Sequence, residues 1–272
     1  MSNPFGIEGK VAVITGGGGV LCSEMAKALA GQGVKVAVLD INLAQAQAVA
    51  DAIRAQGGTA TSVAANVLDK ASLEEARNVV MQEFGGIDIL INGAGGNKAD
   101  ATVSDSMSFF DIPAEAIQWV FNLNILGTIL PTQVFGKVMA DRGEGVIINI
   151  SSMNSFRPLT RIVAYSAAKA AVNNFTQWMA VHFNQNYSKN IRVNAIAPGF
   201  FLTNQNRFLL VDKDTGEATA RGKQIIAHTP MGRYGEPADL IGTLLWLVSD
   251  GARFVNGVVV PIDGAFSAYS GV

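Results

Sequence analysis

The stretch VAVITGGGGVLCSEMAKALAGQG, residues 11–33, decides the fold class. Val11–Thr15 is short, apolar and rich in β-branched residues, as expected of a strand buried on both faces of a parallel sheet. Gly16–Gly19 follow. The segment from Leu21 then places Leu21, Met25, Ala28 and Leu29 on one helical face, and Gly31 and Gly33 end it. Glycines between a strand and a helix N-terminus leave backbone N–H groups and the helix dipole open to a phosphate, with no side chain in the way. Four glycines alone would describe a tight turn equally well. Asp40, however, closes the next apolar run, Val34–Asp40, at about the 20-residue spacing where an acid meets the ribose hydroxyls of a bound dinucleotide. The same carboxylate would repel a 2′-phosphate. No Arg or Lys lies in Gly16–Gly19 or Ile41–Leu43, so NAD is favoured over NADP.

Outward from this unit the pattern repeats. Apolar runs at Thr59–Ala65, Ile87–Asn92, Gly145–Ser151, Ile191–Ile196 and Gly257–Ile262 bring the predicted strands to seven, with helix-sized segments between them. Such alternation predicts an α/β, doubly wound Rossmann fold: a seven-stranded parallel sheet with helices on both faces. No Pro/Ser-rich linker or internal repeat divides residues 1–272, which read as a single domain. One stretch breaks the rhythm. Phe200–Tyr234 has no strand pattern, follows Pro198-Gly199 at a strand end, and is long for a connection in a compact domain, so it is expected to be a substrate lid.

Composition excludes several classes. Hydrophobic residues make up 49% and charged residues only 15% of the 272, which argues against disorder and coiled coil. A net charge of -2 with scattered Lys and Arg offers no field for nucleic acid. The N-terminal residues lack the pattern of a signal peptide, and the single Cys22 forms no internal disulfide, which points to the cytoplasm. Ala116–Gly136 carries Gln118, Asn122, Asn124, Pro131 and Gln133, a poor membrane span. Two histidines, His182 and His228, with one cysteine do not make a zinc site, and no G-x-S-x-G marks a hydrolase.

Tyr165 and Lys169 are spaced i, i+4 and share a helix face, where an ammonium would favour the ionised phenol. Together with the glycine run, Asn92–Gly95 (NGAG), Asn124, Ser152 thirteen residues before Tyr165, and Pro198-Gly199 with Thr203 beyond, the chain resembles the short-chain dehydrogenase/reductase family from about Ile7 to Phe266. The resemblance implies a catalytic set: Tyr165 as general acid/base, Ser152 bonded to the substrate oxygen, Lys169 holding the nicotinamide ribose and lowering the phenol pKa, and Asn124 binding a relay water. It also implies NAD contacts at Thr15, Gly16, Gly18, Gly19, Val20, Leu21, Asp40, Asn66, Val67, Asn92, Ala94, Gly95, Tyr165, Lys169, Pro198, Gly199, Phe201 and Thr203, and no metal. Two departures stand out. Where the family reads T-G-x-x-x-G-x-G, this chain has Val20 and Cys22 at the second and third glycines. Asn66 stands where many members carry an acid beside the adenine.

Polar residues cluster around the expected reaction point. Asn97, Ser152, Asn154, Arg157, Asn206 and Arg207 suit a polyhydroxylated chain ending in a carboxylate, with Arg157 or Arg207 as the carboxylate clamp. NGAGGN and FFLTNQNR also resemble, more narrowly, members of the family that interconvert D-mannonate and D-fructuronate with NAD, so a sugar acid is the expected substrate. A polyol dehydrogenase or a 3-oxoacyl-carrier-protein reductase is the enzymatic alternative; a catalytically inactive NAD-sensing protein is the non-enzymatic one. The apolar surface around Val172, Phe175, Trp178 and Met179, with Val258–Ile262, leads to the expectation of a homotetramer.

Overall fold

A computed structural model describes residues 5–203, 210–213 and 215–271. Strands β1 (Val11–Thr15), β2 (Lys35–Asp40), β3 (Ala60–Ala64), β4 (Ile89–Asn92), β5 (Gly145–Ile150), β6 (Ile191–Pro198) and β7 (Val259–Ile262) form one sheet in the order β3-β2-β1-β4-β5-β6-β7. Every pairing is parallel. The order reverses between β1 and β4, and a crevice opens at their carboxyl ends, where ligands of such sheets bind. The strands lie within two residues of their predicted bounds.

The helices are α1 (Val20–Gly31), α2 (Leu43–Ala55), α3 (Lys70–Phe84), α4 (Ala114–Phe121), α5 (Gly127–Arg142), α6 (Val163–Asn186), α7 (Ala220–His228) and α8 (Ile241–Val248). Alternate strand residues feed two apolar layers. Ala12, Ile14, Val36, Val38, Ile89 and Ile91 pack with α1, α2 and α8. Val11, Val13, Ala37, Leu39, Leu90 and Ile147 pack with α3, α5 and α6 through Leu73, Val80, Phe135, Met139 and Phe183. Helix α1 is rotated from its predicted face: Cys22, Met25, Ala26, Leu29 and Ala30 are buried, whereas Leu21 and Ala28 are only half-buried. The rotation follows from packing against both the sheet and α2, which a single sequence stripe does not reveal.

Helix ends separate structure from function. Asn42 caps α2 and Asp69 caps α3 through their side chains, while Gly85 (φ 78°) and Gly143 (φ 80°) end α3 and α5 in the left-handed conformation. Helix α1 starts after Gly19 with no side-chain cap and no acid in its first turn. Its N–H groups are left for a ligand.

Stretch 116–136, weighed as a membrane candidate, is α4 continuing through a π-helical turn, Asn122–Leu126, into α5. Among the described residues no helix is long and apolar enough to cross a membrane. The segment from Phe200, read as strandless, contains α7 and, among its described residues, the isolated bridges Phe201 to Gly235 and Val211 to Ala218 but no strand.

A polar chain crosses the α5/α6 layer. Asn92 Nδ2 donates to Thr132 Oγ1 (3.0 Å) and Asn149 Oδ1 (2.8 Å), and Asn149 Nδ2 donates to Thr176 Oγ1 (2.9 Å), all buried. It ties the carboxyl ends of β4 and β5 to the helices behind the site. Replacing Asn149 with Ala removes one buried acceptor for Asn92 Nδ2 and the donor to Thr176 Oγ1, so N149A should lose about 2–3 kcal/mol. A urea titration checks this: the midpoint drops and the slope is retained.

Candidate active site

The loop after β1 is built from close approaches. A Cβ on Gly16 (φ +63°) would lie 2.8 Å from Ala94 Cα, and one on Gly17 would lie 2.7 Å from Val38 Cγ1. Gly17 N donates to Leu39 O (2.9 Å) and Gly18 N to Asp40 Oδ2 (3.0 Å), while Asp40 Oδ1 accepts from Asn42 N (2.9 Å). Asp40, half-buried, therefore sits beside the glycine loop at the carboxyl end of β2. Thr15 Oγ1 accepts from Gly93 N (3.2 Å) and Ala94 N (3.4 Å), which binds this loop to the turn after β4. An uncapped helix N-terminus, a Cβ-free cradle and an acid at its rim fit a dinucleotide pyrophosphate and ribose.

The turn after β4 is held by Asn124, whose π-helical turn widens the backbone and brings its amide inward. Asn124 Nδ2 donates to Gly96 O (2.7 Å) and Val120 O (2.7 Å), and Oδ1 accepts from Gly96 N (3.2 Å). The side chain is thus committed to protein partners and clamps the Gly95–Gly96 turn. A Cβ on Gly95 would lie 2.8 Å from Asn124 Oδ1 and 3.1 Å from Lys169 Nζ, so both converge on one point.

Tyr165 and Lys169 lie in the first two turns of α6. Lys169 is buried, donates to Ile150 O (2.7 Å), and its Nζ stands 5.6 Å from the centre of the Tyr165 ring. Burial lowers its pKa to about 8. Tyr165 is hydrogen-bonded to Ser152, which lowers its pKa, but burial outweighs this and raises it above the ordinary phenol value. Desolvation is therefore the larger effect on the phenol. Ser152, on the loop after β5, also accepts from Asn154 N (3.3 Å). Its neighbour Ser151 is bound into the fold through Asn173 Oδ1 (2.5 Å), leaving Ser152 as the serine at Tyr165. Sequence reasoning did not find Asn173; its bonds to Ser151 and Ser155 hold this loop.

Other expected contacts fall differently. The Asn92 amide is enclosed in the fold, 1% exposed, and its Oδ1 has no partner among the described residues, so the side chain is structural. Asn66 is exposed and turns its Oδ1 to Leu68 N (3.0 Å), while Val67 packs beside Gly127. Val20 and Leu21 open α1. Gly199 donates to Ile262 O (2.9 Å) and lies so close to Asp263 that a Cβ would meet its Cα at 2.6 Å. Pro198 ends β6; the Phe201 ring is buried in the core over Gly235, and Thr203 is half-buried.

Of the substrate candidates, Asn154 is buried beside Ser152, and exposed Asn97 donates to Thr102 Oγ1 (3.0 Å). Asn206 and Arg207 lie outside the described residues. Exposed Arg157 donates through Nε to Ser267 O (3.2 Å), so it fastens the C-terminal segment. That segment completes the substrate side without any local signal in sequence: Phe266 packs with Met153, Leu210 and Ile225, and the His228 ring stands 4.7 Å from Phe266 and 5.0 Å from Tyr269. Among the described residues no three His, Cys, Asp or Glu gather as metal ligands.

A sequence profile of short chain dehydrogenases matches residues 10–213. The chain belongs to the short-chain dehydrogenase/reductase family. It is an oxidoreductase acting on CH–OH groups. It is 52% identical to the uncharacterized oxidoreductase UxuB of Bacillus subtilis (strain 168), over 98% of each chain. It is 34% identical to 2-dehydro-3-deoxy-D-gluconate 5-dehydrogenase of Escherichia coli (strain K12), over 97% of this chain and 98% of that one. Among solved structures, a protein from Haemophilus influenza, provisionally named a D-mannonate oxidoreductase and holding NAD, superposes with a TM-score of 0.91 at 50% identity over 98% of both chains.

Burying the Lys169 ammonium destabilises the fold while both folded and unfolded chains carry the charge. This penalty is fully present below pH 8 and disappears as pH rises from about 8 toward the unfolded value of 10.5, since the unfolded chain binds the extra proton there. K169M should therefore raise stability at pH 7, on the order of 1–3 kcal/mol after the loss of the Ile150 bond. Thermal melts should show its advantage over wild type shrinking between pH 8 and 10.5.

Proposed function

We propose that this chain is an NAD-dependent dehydrogenase that interconverts the secondary alcohol and ketone of a sugar acid, D-mannonate and D-fructuronate being the pair that fits best. The observation that carries the reading is the Ser152-Tyr165 hydrogen bond with Lys169 beside it, set at the carboxyl edge of β5 next to the glycine crevice. Asp40 at the rim supports NAD, since its charge opposes a 2′-phosphate. The nicotinamide, when bound, exchanges a hydride with the carbinol carbon.

The chain's own groups handle the proton and the oxygen. Tyr165, whose half-buried phenol is protonated at neutral pH, gives its proton to the ketone oxygen in reduction and takes it back in oxidation. The Ser152 hydroxyl donates to the same oxygen, where negative charge develops. Lys169 supplies a buried cation next to both, and Asn124 fixes the floor of the site through Gly96. Asn154, buried beside Ser152, and Asn97 provide polar groups suited to sugar hydroxyls. The names of the relatives, a D-mannonate oxidoreductase and a 2-dehydro-3-deoxy-D-gluconate dehydrogenase, point to the same substrate class. The exposed Trp178 and Val181 of α6, with Tyr187 just beyond its end, suit burial in a homotetramer, whereas Val172 and Met179 of the expected patch belong to the monomer core.

Mixing the protein with NAD and D-mannonate should produce NADH, followed by absorbance, and the neutral polyol D-mannitol should turn over far more slowly. Equal rates on both would remove the sugar-acid reading and leave the dehydrogenase. Y165F keeps the ring and loses the proton, so turnover should fall by roughly 10²–10⁴ while NADH still binds. Because the phenol must lose its proton for oxidation, D-mannonate oxidation should speed up, and ketone reduction slow down, as pH rises into the alkaline range.

A further inference from the structure

Two departures from the family pattern, far apart in sequence, meet in space. Cys22 replaces the third glycine of the glycine motif, and Gly93 replaces the second Asn of N-N-A-G. The Cys22 thiol is 5% exposed, and a Cβ on Gly93 would lie only 2.2 Å from its Sγ. No side chain fits at 93 while a thiol stands at 22. Cys22 Cβ would be 3.6 Å from that same point, an ordinary contact, so the sulfur atom is the nearest obstacle, with the Thr15 carbonyl at 2.8 Å behind it.

We propose that Cys22 and Gly93 are a reciprocal pair: the volume that the family places after β4 is moved here onto α1, and Cys22 is a positioning residue that sets the gap between the glycine loop and the Gly93–Gly96 turn. The reading rests on the cofactor placement proposed above. Three further contacts cross the same gap. Thr15 Oγ1 accepts from Gly93 N and Ala94 N, and Gly16 abuts Ala94. The thiol also lies near enough to Lys169 and Asp40 for both charges to act on it, which places it beneath the path between the two ends of the cofactor site. Burial pushes its pKa up to about 12, so it acts by its size and stays an inert thiol.

The test is a double-mutant cycle read by NADH fluorescence titration and by the KM for NAD at saturating substrate. G93A should weaken NADH binding and raise the KM for NAD by about tenfold, the scale of coupling between touching residues, and leave the substrate KM unchanged. C22A, which keeps a good helix former, should change binding only a few-fold. C22A/G93A should regain most of the loss; a residual effect is expected because the new Cβ still approaches the Thr15 carbonyl to 2.8 Å. Wild-type affinity in G93A, or a double variant that binds no better than G93A, overturns the pair. If G93A does not fold, a C22A/G93A protein that folds and binds NADH supports the pair, and one that does neither overturns it. D40A is titrated in parallel. Unchanged affinity there removes the cofactor placement itself, whereas weakened binding in D40A with an additive cycle removes only the pairing.

Discussion

The loops that follow β1 and β4 touch at the point where the strand order reverses, and that approach has no room for side chains. Gly16 lies against Ala94, Gly17 against Val38, and Thr15 accepts N–H bonds from the opposing turn. Parallel strands aim both loops to the same edge, so their separation is fixed by the sheet and cannot be widened by local adjustment. The uncapped start of α1, the position of Asp40 and the height of Lys169 over Tyr165 all take this contact as their reference. A second layer of buried amides and hydroxyls, from Asn92 through Asn149 to Thr176, fixes the strand ends against α5 and α6, as an apolar core alone could not specify.

Electrostatics in the site is governed by desolvation. Desolvation holds the half-buried phenol of Tyr165 protonated, and the buried ammonium of Lys169 is brought to about 8. Each shift opposes the group's charged form, as burial always does. The result is a proton donor next to a cation that gives up its proton more readily than an exposed lysine. That is a suitable arrangement for moving a proton on and off a substrate oxygen without admitting water. The stability penalty of the buried lysine is of the kind that functional sites retain.

On the substrate side, three distant pieces of chain close around Ser152. The loop after β5 supplies Met153, the segment after β6 supplies Leu210 and Ile225, and the C-terminal residues supply Phe266, with Arg157 bonded across to Ser267. Packing of this sort anchors the described parts of an otherwise irregular connection.

The sequence by itself determined the architecture. Seven apolar runs with helical segments between them dictate a parallel sheet covered on both faces, and the glycine run with Asp40 dictates where its crevice binds. Tyr165 and Lys169 were legible because one helix turn alone brings them together, and Ser152 because it precedes them on the same strand-to-helix connection. Only the tertiary structure decided which face of α1 is buried, because that depends on α2 and the sheet together. It also decided that Asn124 clamps Gly96, that Arg157 reaches the C-terminal segment through Ser267, and that the Cys22 thiol stands against Gly93. These are contacts between residues 28 to 110 positions apart, and no period or spacing along a single chain records which of its distant parts the sheet will bring face to face.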